Sequence, residues 1–277
     1  MRPVRLLLIA VLFLGVVPPS ADAQRRTAPP PRRSAQPPRR SADDQRRTAR
    51  AWADTVSAAI DAATRAGGMA RLEETRRLLN RALAAYPDDA LLRHYEGFLL
   101  YRMITVGGAA LPAATMATYL DDARAALERS LARRPMAESY LLLSEIYSRQ
   151  VAANPKRGAS LGPALALARA RAMSIGAKNP RVYLLAGIAA LYASPEVGGG
   201  THTAERLLLA AVDFFRNDPA RRPDPTWGRA EAYAWLGQVY ERTNRRAAAK
   251  KMYASALALE PDNAWVRDVL VPGVAAP

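Results

Sequence analysis

Few side chains in this chain have the types and spacing that chemistry needs. The two histidines, His94 and His202, stand more than a hundred residues apart. Neither has a second histidine, a cysteine or a carboxylate at metal-ligand spacing, so no metal is expected. His94 falls on an apolar helical stretch and reads as a core or groove histidine. His202 sits in GGGTHT and reads as a solvent-facing residue capping the next helix. The triplet Gly198, Gly199 and Gly200 could turn helix amides towards an anion. It lacks the lysine and serine or threonine of a phosphate loop and follows no strand, so a sharp reversal is the expected role. The acidic pairs Glu73/Glu74, Asp88/Asp89 and Asp121/Asp122 are adjacent in sequence and point to different helix faces. They predict capping and solvation, not paired acid/base work. Neither catalytic machinery nor a cofactor site emerges, and the expectation is a protein that binds and does not catalyse.

Composition narrows where such a protein works. The 277 residues carry a formal net charge of +15 and no cysteine, so packing and not disulfides must hold any fold together. MRPVR, then LLLIAVLFLGVV, then PPSADAQ is the pattern of a secretory signal, with cleavage expected after Ala23 and an uncleaved anchor as the alternative. The apolar run falls short of the roughly 20 residues a membrane span needs. The expected location is therefore periplasmic or secreted, with no transmembrane span in the mature chain.

Residues 24–50 hold nine arginines against two aspartates, with pairs at Arg25/Arg26, Arg32/Arg33, Arg39/Arg40 and Arg46/Arg47. Pro29, Pro30, Pro31, Pro37 and Pro38 forbid a helix in the first half, and the heptad offers no apolar seam. Residues 24–41 thus read as a disordered basic tether, either a solvated spacer or, over residues 25–50, an arm that meets an anionic envelope surface. Export speaks against nucleic acid. From Ser41, which can cap a helix, with Asp43 and Asp44 in its first turn, the chain runs unbroken to Gly67.

Beyond residue 50 apolar residues recur at helical spacing, with no alternating strand of useful length. Prolines punctuate at Pro87, Pro135, Pro180 and Pro261, which calls for a repeat test. The clearest unit is AEAYAWLGQVYERTNRRAAAKKMYASALALEP, residues 230–261. Tyr233, Leu236, Gly237 and Tyr240 share a face of its first helix, and Ala249, Tyr253 and Ala256 a face of its second. Small residues at Gly237, Ala249 and Ala256 allow close helix approach, and Pro261 ends the unit. Upstream, Gly97, Ala123, Leu127, then Ser144, Tyr147 and Ala168, then Gly187, Ala204 and Leu208 occupy equivalent positions. Thr75, Leu79 and Ala82 mark an N-terminal copy.

This pattern resembles the tetratricopeptide repeat (TPR), which implies an all-α solenoid of about five antiparallel hairpins over residues 42–271, with a short tail at 272–277. Three inner units carry inter-helix insertions: RMITVGGAALPAATMATYL, QVAANPKRGASLGP and SPEVGGGTH. The glycine-rich loop also resembles the T component of TRAP transporters, although the lipid-anchoring cysteine of that group is missing. The TPR resemblance implies a concave groove lined by the first helices, with His94, Phe98, Tyr101, Glu138, Leu141, Glu145, Arg181, Leu184, Ile188, Glu231, Gln238 and Arg242 as candidates. Repeats that clamp a C-terminal carboxylate use lysine and asparagine where this chain has Ala234, Leu141 and Leu184. Two functions follow as expectations: an exported scaffold binding a protein or peptide in its groove, or a transport accessory holding a small solute in a pocket framed by the insertions.

Overall fold

The computed structural model describes residues 41–275. Residues 1–23, expected to be a signal, and the residues up to 40 of the expected tether lie outside the described residues. Ser41 does cap the first helix: its hydroxyl accepts from the Asp44 amide and opens α1 (Ala42–Ala66). Gly67 and Gly68, both at positive φ, turn the chain into α2 (Met69–Ala85). The chain continues through α3 (Ala90–Gly107), α4 (Ala113–Arg133), α5 (Ala137–Ala153), α6 (Gly158–Ile175), α7 (Pro180–Tyr192), α8 (Thr201–Arg216), α9 (Arg229–Arg242) and α10 (Arg246–Leu259). Among the described residues there are five antiparallel hairpins and no strand. Consecutive first helices also touch, α1 to α3, α3 to α5, α5 to α7 and α7 to α9. That stacking makes a continuous inner face, as expected of a solenoid.

Close helix approach explains the small residues. A Cβ on Gly187 would lie 2.7 Å from Leu208 Cγ, and one on Gly97 or Gly237 closer still to Leu127 or Tyr253. Ala123, Ala204, Ala249 and Ala256 are fully buried in the facing helices. Side chains packed at this density leave no space for an added methyl group. Ser144 takes the same position in α5, where its hydroxyl donates to the Leu141 carbonyl 2.8 Å away. Tyr147 and Tyr253 are buried, while Tyr233 and Tyr240 are half-buried against the core.

Three expectations need correction. Pro180 does not end a helix: α6 stops at Ile175, and Pro180 is the first residue of α7, behind the Asn179 cap. There a missing amide costs nothing, because the first-turn amides have no partner inside the helix. The first two insertions are not loops: they lengthen α3, α4, α5 and α6, leaving short 3-10 links at Gly108–Ala110 and Pro155–Arg157. The third stays a loop around Pro195–Val197. The 272–277 tail is not wholly free: a π turn at Val266–Leu270 leads into α11 (Val271–Ala275), and Val266, Leu270 and Val274 pack with Ala249, Tyr253 and Ala256.

Candidate functional site

The inner face is not an open groove along its length, because the chain covers part of it. Residues 217–228, between α8 and α9, cross it and are anchored at every side. Trp227 stacks on Phe98 at 4.6 Å between ring centroids, and the Tyr95 hydroxyl donates to the Pro223 carbonyl at 2.6 Å. Arg181 reaches Asp218 at 2.6 Å and Arg134 reaches Asp224 at 3.1 Å. His94, Phe98, Glu138, Leu141, Arg181 and Leu184, expected to face a partner, are all buried, and Phe98, Arg181 and Leu184 lie directly against this segment. Glu138 accepts from the Asn179 amide nitrogen at 2.7 Å, and Arg181 is spent on Asp218. Gln238 is half-buried. Arg242 is partly exposed, donates to the Leu191 carbonyl at 3.1 Å and lies over the Tyr192 ring.

His94 is a structural histidine. Its Nδ1 shares a 2.9 Å hydrogen bond with the Ser139 hydroxyl, and Ser130 continues the chain to the Ala90 carbonyl. Burial, with the nearby Arg134 and Arg181 charges, lowers its pKa to about 3, so the ring is neutral. His202 is exposed in the first turn of α8. The glycine amides are already used: Gly198 donates to Pro195, Gly199 to Ser194, and Gly200 to Ala190 and Ala193. They leave no free donor for an anion.

What the crossing loop leaves open is a cavity of about 1280 Å³. Tyr101, Glu145, Ile188 and Glu231 of the expected groove residues line it; the other eight do not. Ile104, Met116, Leu165 and Leu207 add aliphatic walls, and Trp235 and Trp265, 5.1 Å apart and tilted, add an aromatic one. Val106, Tyr192, Val197 and Val269 line it as well, yet are large apolar residues left exposed. Polar groups gather in two places. Near α1, Arg102 and Glu231 make a two-pronged ion pair, with one contact at 3.0 Å. Burial opposes the Arg102 charge, but the Glu231 charge and hydrogen bond outweigh it and hold its pKa above the usual value. Asp61 lies close by, and burial, only partly countered by Arg102, raises its pKa to about 6. The second group is Glu145, Ser148, Arg149 and Arg169 with Tyr101. Here burial raises the pKa of both Glu145 and Tyr101.

Sequence reasoning missed Arg149, Arg169, Trp235 and Trp265, and missed that the groove is partly filled. A signal was present. The α3 stretch LLRHYEGFLLYRMIT has no polar face, which marks a helix covered on all sides. NDPARRPDPTWG is also longer than a turn between repeats requires.

No family model and no curated protein matches the chain. Solved structures do. A thermophilic TPR protein of Thermus thermophilus superposes with a TM-score of 0.55 at 18% identity, over 83% of this chain and 99% of that one. The HusA haemophore of Porphyromonas gingivalis superposes with a TM-score of 0.56 at 20% identity, over 69% of this chain and 92% of that one. The fold is therefore TPR-like, a helical repeat scaffold.

Proposed function

We propose that this chain is an exported, non-enzymatic binding protein whose cavity holds a small amphipathic molecule. The observation that carries this reading is a large cavity with apolar walls and a few convergent polar groups, the usual composition of a ligand site. Its volume exceeds the roughly 300–1,000 Å³ of common pockets, which suits a long or broad ligand. Among the described residues no group of potential metal ligands accompanies it. A fold neighbour named as a haemophore supports the idea that this scaffold serves small molecules. The reading also takes up the expectation of a solute-holding accessory, with the α3–α4 and α7–α8 connections framing the cavity.

The test uses N-phenyl-1-naphthylamine, an uncharged probe that fluoresces in apolar sites. Saturable binding that disappears when Ala189→Phe fills the cavity, with the melting temperature retained, supports the reading. Equal binding by both proteins overturns it. A protein or peptide partner is the second reading, favoured by the exposed Val106, Tyr192, Val197 and Val269 at the cavity; crosslinking from envelope extracts that depends on these residues would establish it. Export rests on residues 1–23, and N-terminal sequencing of the protein from an envelope fraction should begin at Gln24. A start at Met1 contradicts cleavage.

A further inference from the structure

The second polar group of the cavity has an arrangement that packing alone does not require. Glu145 and Tyr101 are 8% and 4% exposed and both line the cavity. Among the described residues Glu145 Oε1 has no hydrogen-bond partner; the nearest cation, Arg169 Nη2, stands 3.7 Å away, too far for one. Arg149 Nε is buried without a partner as well. The Arg149 guanidinium lies over the Tyr101 ring at 5.6 Å and, among the described residues, has no carboxylate within ion-pair distance. Buried polar atoms are nearly always paired, because leaving one unpaired costs about 1–3 kcal/mol. Here two of them, Glu145 Oε1 and Arg149 Nε, lie on one wall of the cavity.

Charge decides what they are for. Arg102 pairs with Glu231 and the lining carboxylate Asp268 with Arg267, whereas Arg149 and Arg169 have only Glu145 beside them, leaving one positive charge in excess when Glu145 is ionised. Guanidinium groups are matched in geometry to oxyanions, to which they offer two parallel donors. Burial raises the Glu145 pKa against the opposing pull of Arg169 and Arg149, so its carboxyl takes up a proton more readily than a solvated one and can then donate to an incoming oxyanion. Leu165, Met116, Ile188 and the two tryptophans line the same cavity.

Resting on the cavity reading above, we propose that the ligand is an amphipathic organic anion, its acidic head held by Arg149 and Arg169 beside Glu145 and Tyr101, its apolar body along the remaining walls.

The experiment compares two probes with the same aromatic body in the full-length protein. 1-Anilinonaphthalene-8-sulfonate carries an anionic head; N-phenyl-1-naphthylamine does not. Arg149→Met and Arg169→Gln are each expected to weaken the sulfonate about tenfold, the loss of one charge-assisted contact, and to leave the neutral probe within about twofold. Glu145→Gln should not weaken the sulfonate. Ala189→Phe checks that both signals come from the cavity, and thermal melts check that each variant is folded. If both arginine variants bind the sulfonate as the wild type does, or lose both probes equally while folded, the anionic head is wrong. If the wild type fails to bind the neutral probe, the cavity reading itself has failed.

Discussion

At the scale of single residues, two ionisable groups altered by folding, His94 and Asp61, act in opposite directions. His94 is buried neutral, with a folded pKa of about 3 against about 6.5 unfolded. Between these values the unfolded chain binds the extra proton, so stability is complete above about pH 6.5 and falls with acidification at a limiting slope of ~1.4 kcal/mol per pH unit. His94→Gln, which keeps a polar group facing Ser139, should flatten the acid limb of stability against pH, measured by urea unfolding from pH 7 to pH 4. An unchanged limb would show that the ring is protonated in the fold. Asp61 has the reverse sign: its folded pKa of about 6 lies above the ordinary 3.8, so it favours the fold at low pH and loses that contribution as the pH rises through this window. Glycines make a simpler point. Gly237 was recognisable from its place in the repeat, and the Tyr253 ring against it shows why no other side chain fits.

At the scale of elements, the 217–228 loop is what separates this chain from an open solenoid. It fills the part of the inner face where Phe98 and Leu184 would otherwise meet water, and it displaces any partner from there. Trp227 is its anchor, 5% exposed, stacked on Phe98 and lying with it under the Arg102 guanidinium. Truncation to alanine should cost about 3–5 kcal/mol, as for other buried aromatic residues. Trp227→Ala is therefore expected to lower stability by that amount in chemical denaturation. A loss below about 1 kcal/mol, less than a buried aromatic residue normally gives, would mean that the loop rests on the face without being packed into it. The longer α3 and α4 have a different effect: by absorbing their insertion as helix, they raise the cavity wall that carries Ile104, Thr105, Val106 and Met116.

At the scale of the whole described region, contacts join the first hairpin to the last. Arg65 of α1 pairs with Asp262 at 3.2 Å, Arg102 of α3 with Glu231 of α9, and Tyr95 with Pro223. Repeat arrays whose units touch only their neighbours unfold in pieces; these links predict one cooperative transition, with tryptophan fluorescence and far-ultraviolet circular dichroism coinciding in urea. Separate midpoints would show that the links are too weak to couple the ends. The sequence by itself determined the helices, their pairing into five hairpins and the small residues between them, because these depend on periodicity and on contacts between residues close in the chain. It also marked His94 as a core or groove residue and the glycine triplet as a turn. Only the tertiary structure decided that the groove is half filled, that Arg149 and Arg169 converge on Glu145, and that two tryptophans thirty residues apart face one cavity. Those juxtapositions depend on how successive hairpins rotate on one another and on where a long loop comes to rest. Neither quantity leaves a period in the sequence, because both arise from packing between residues distant in the chain.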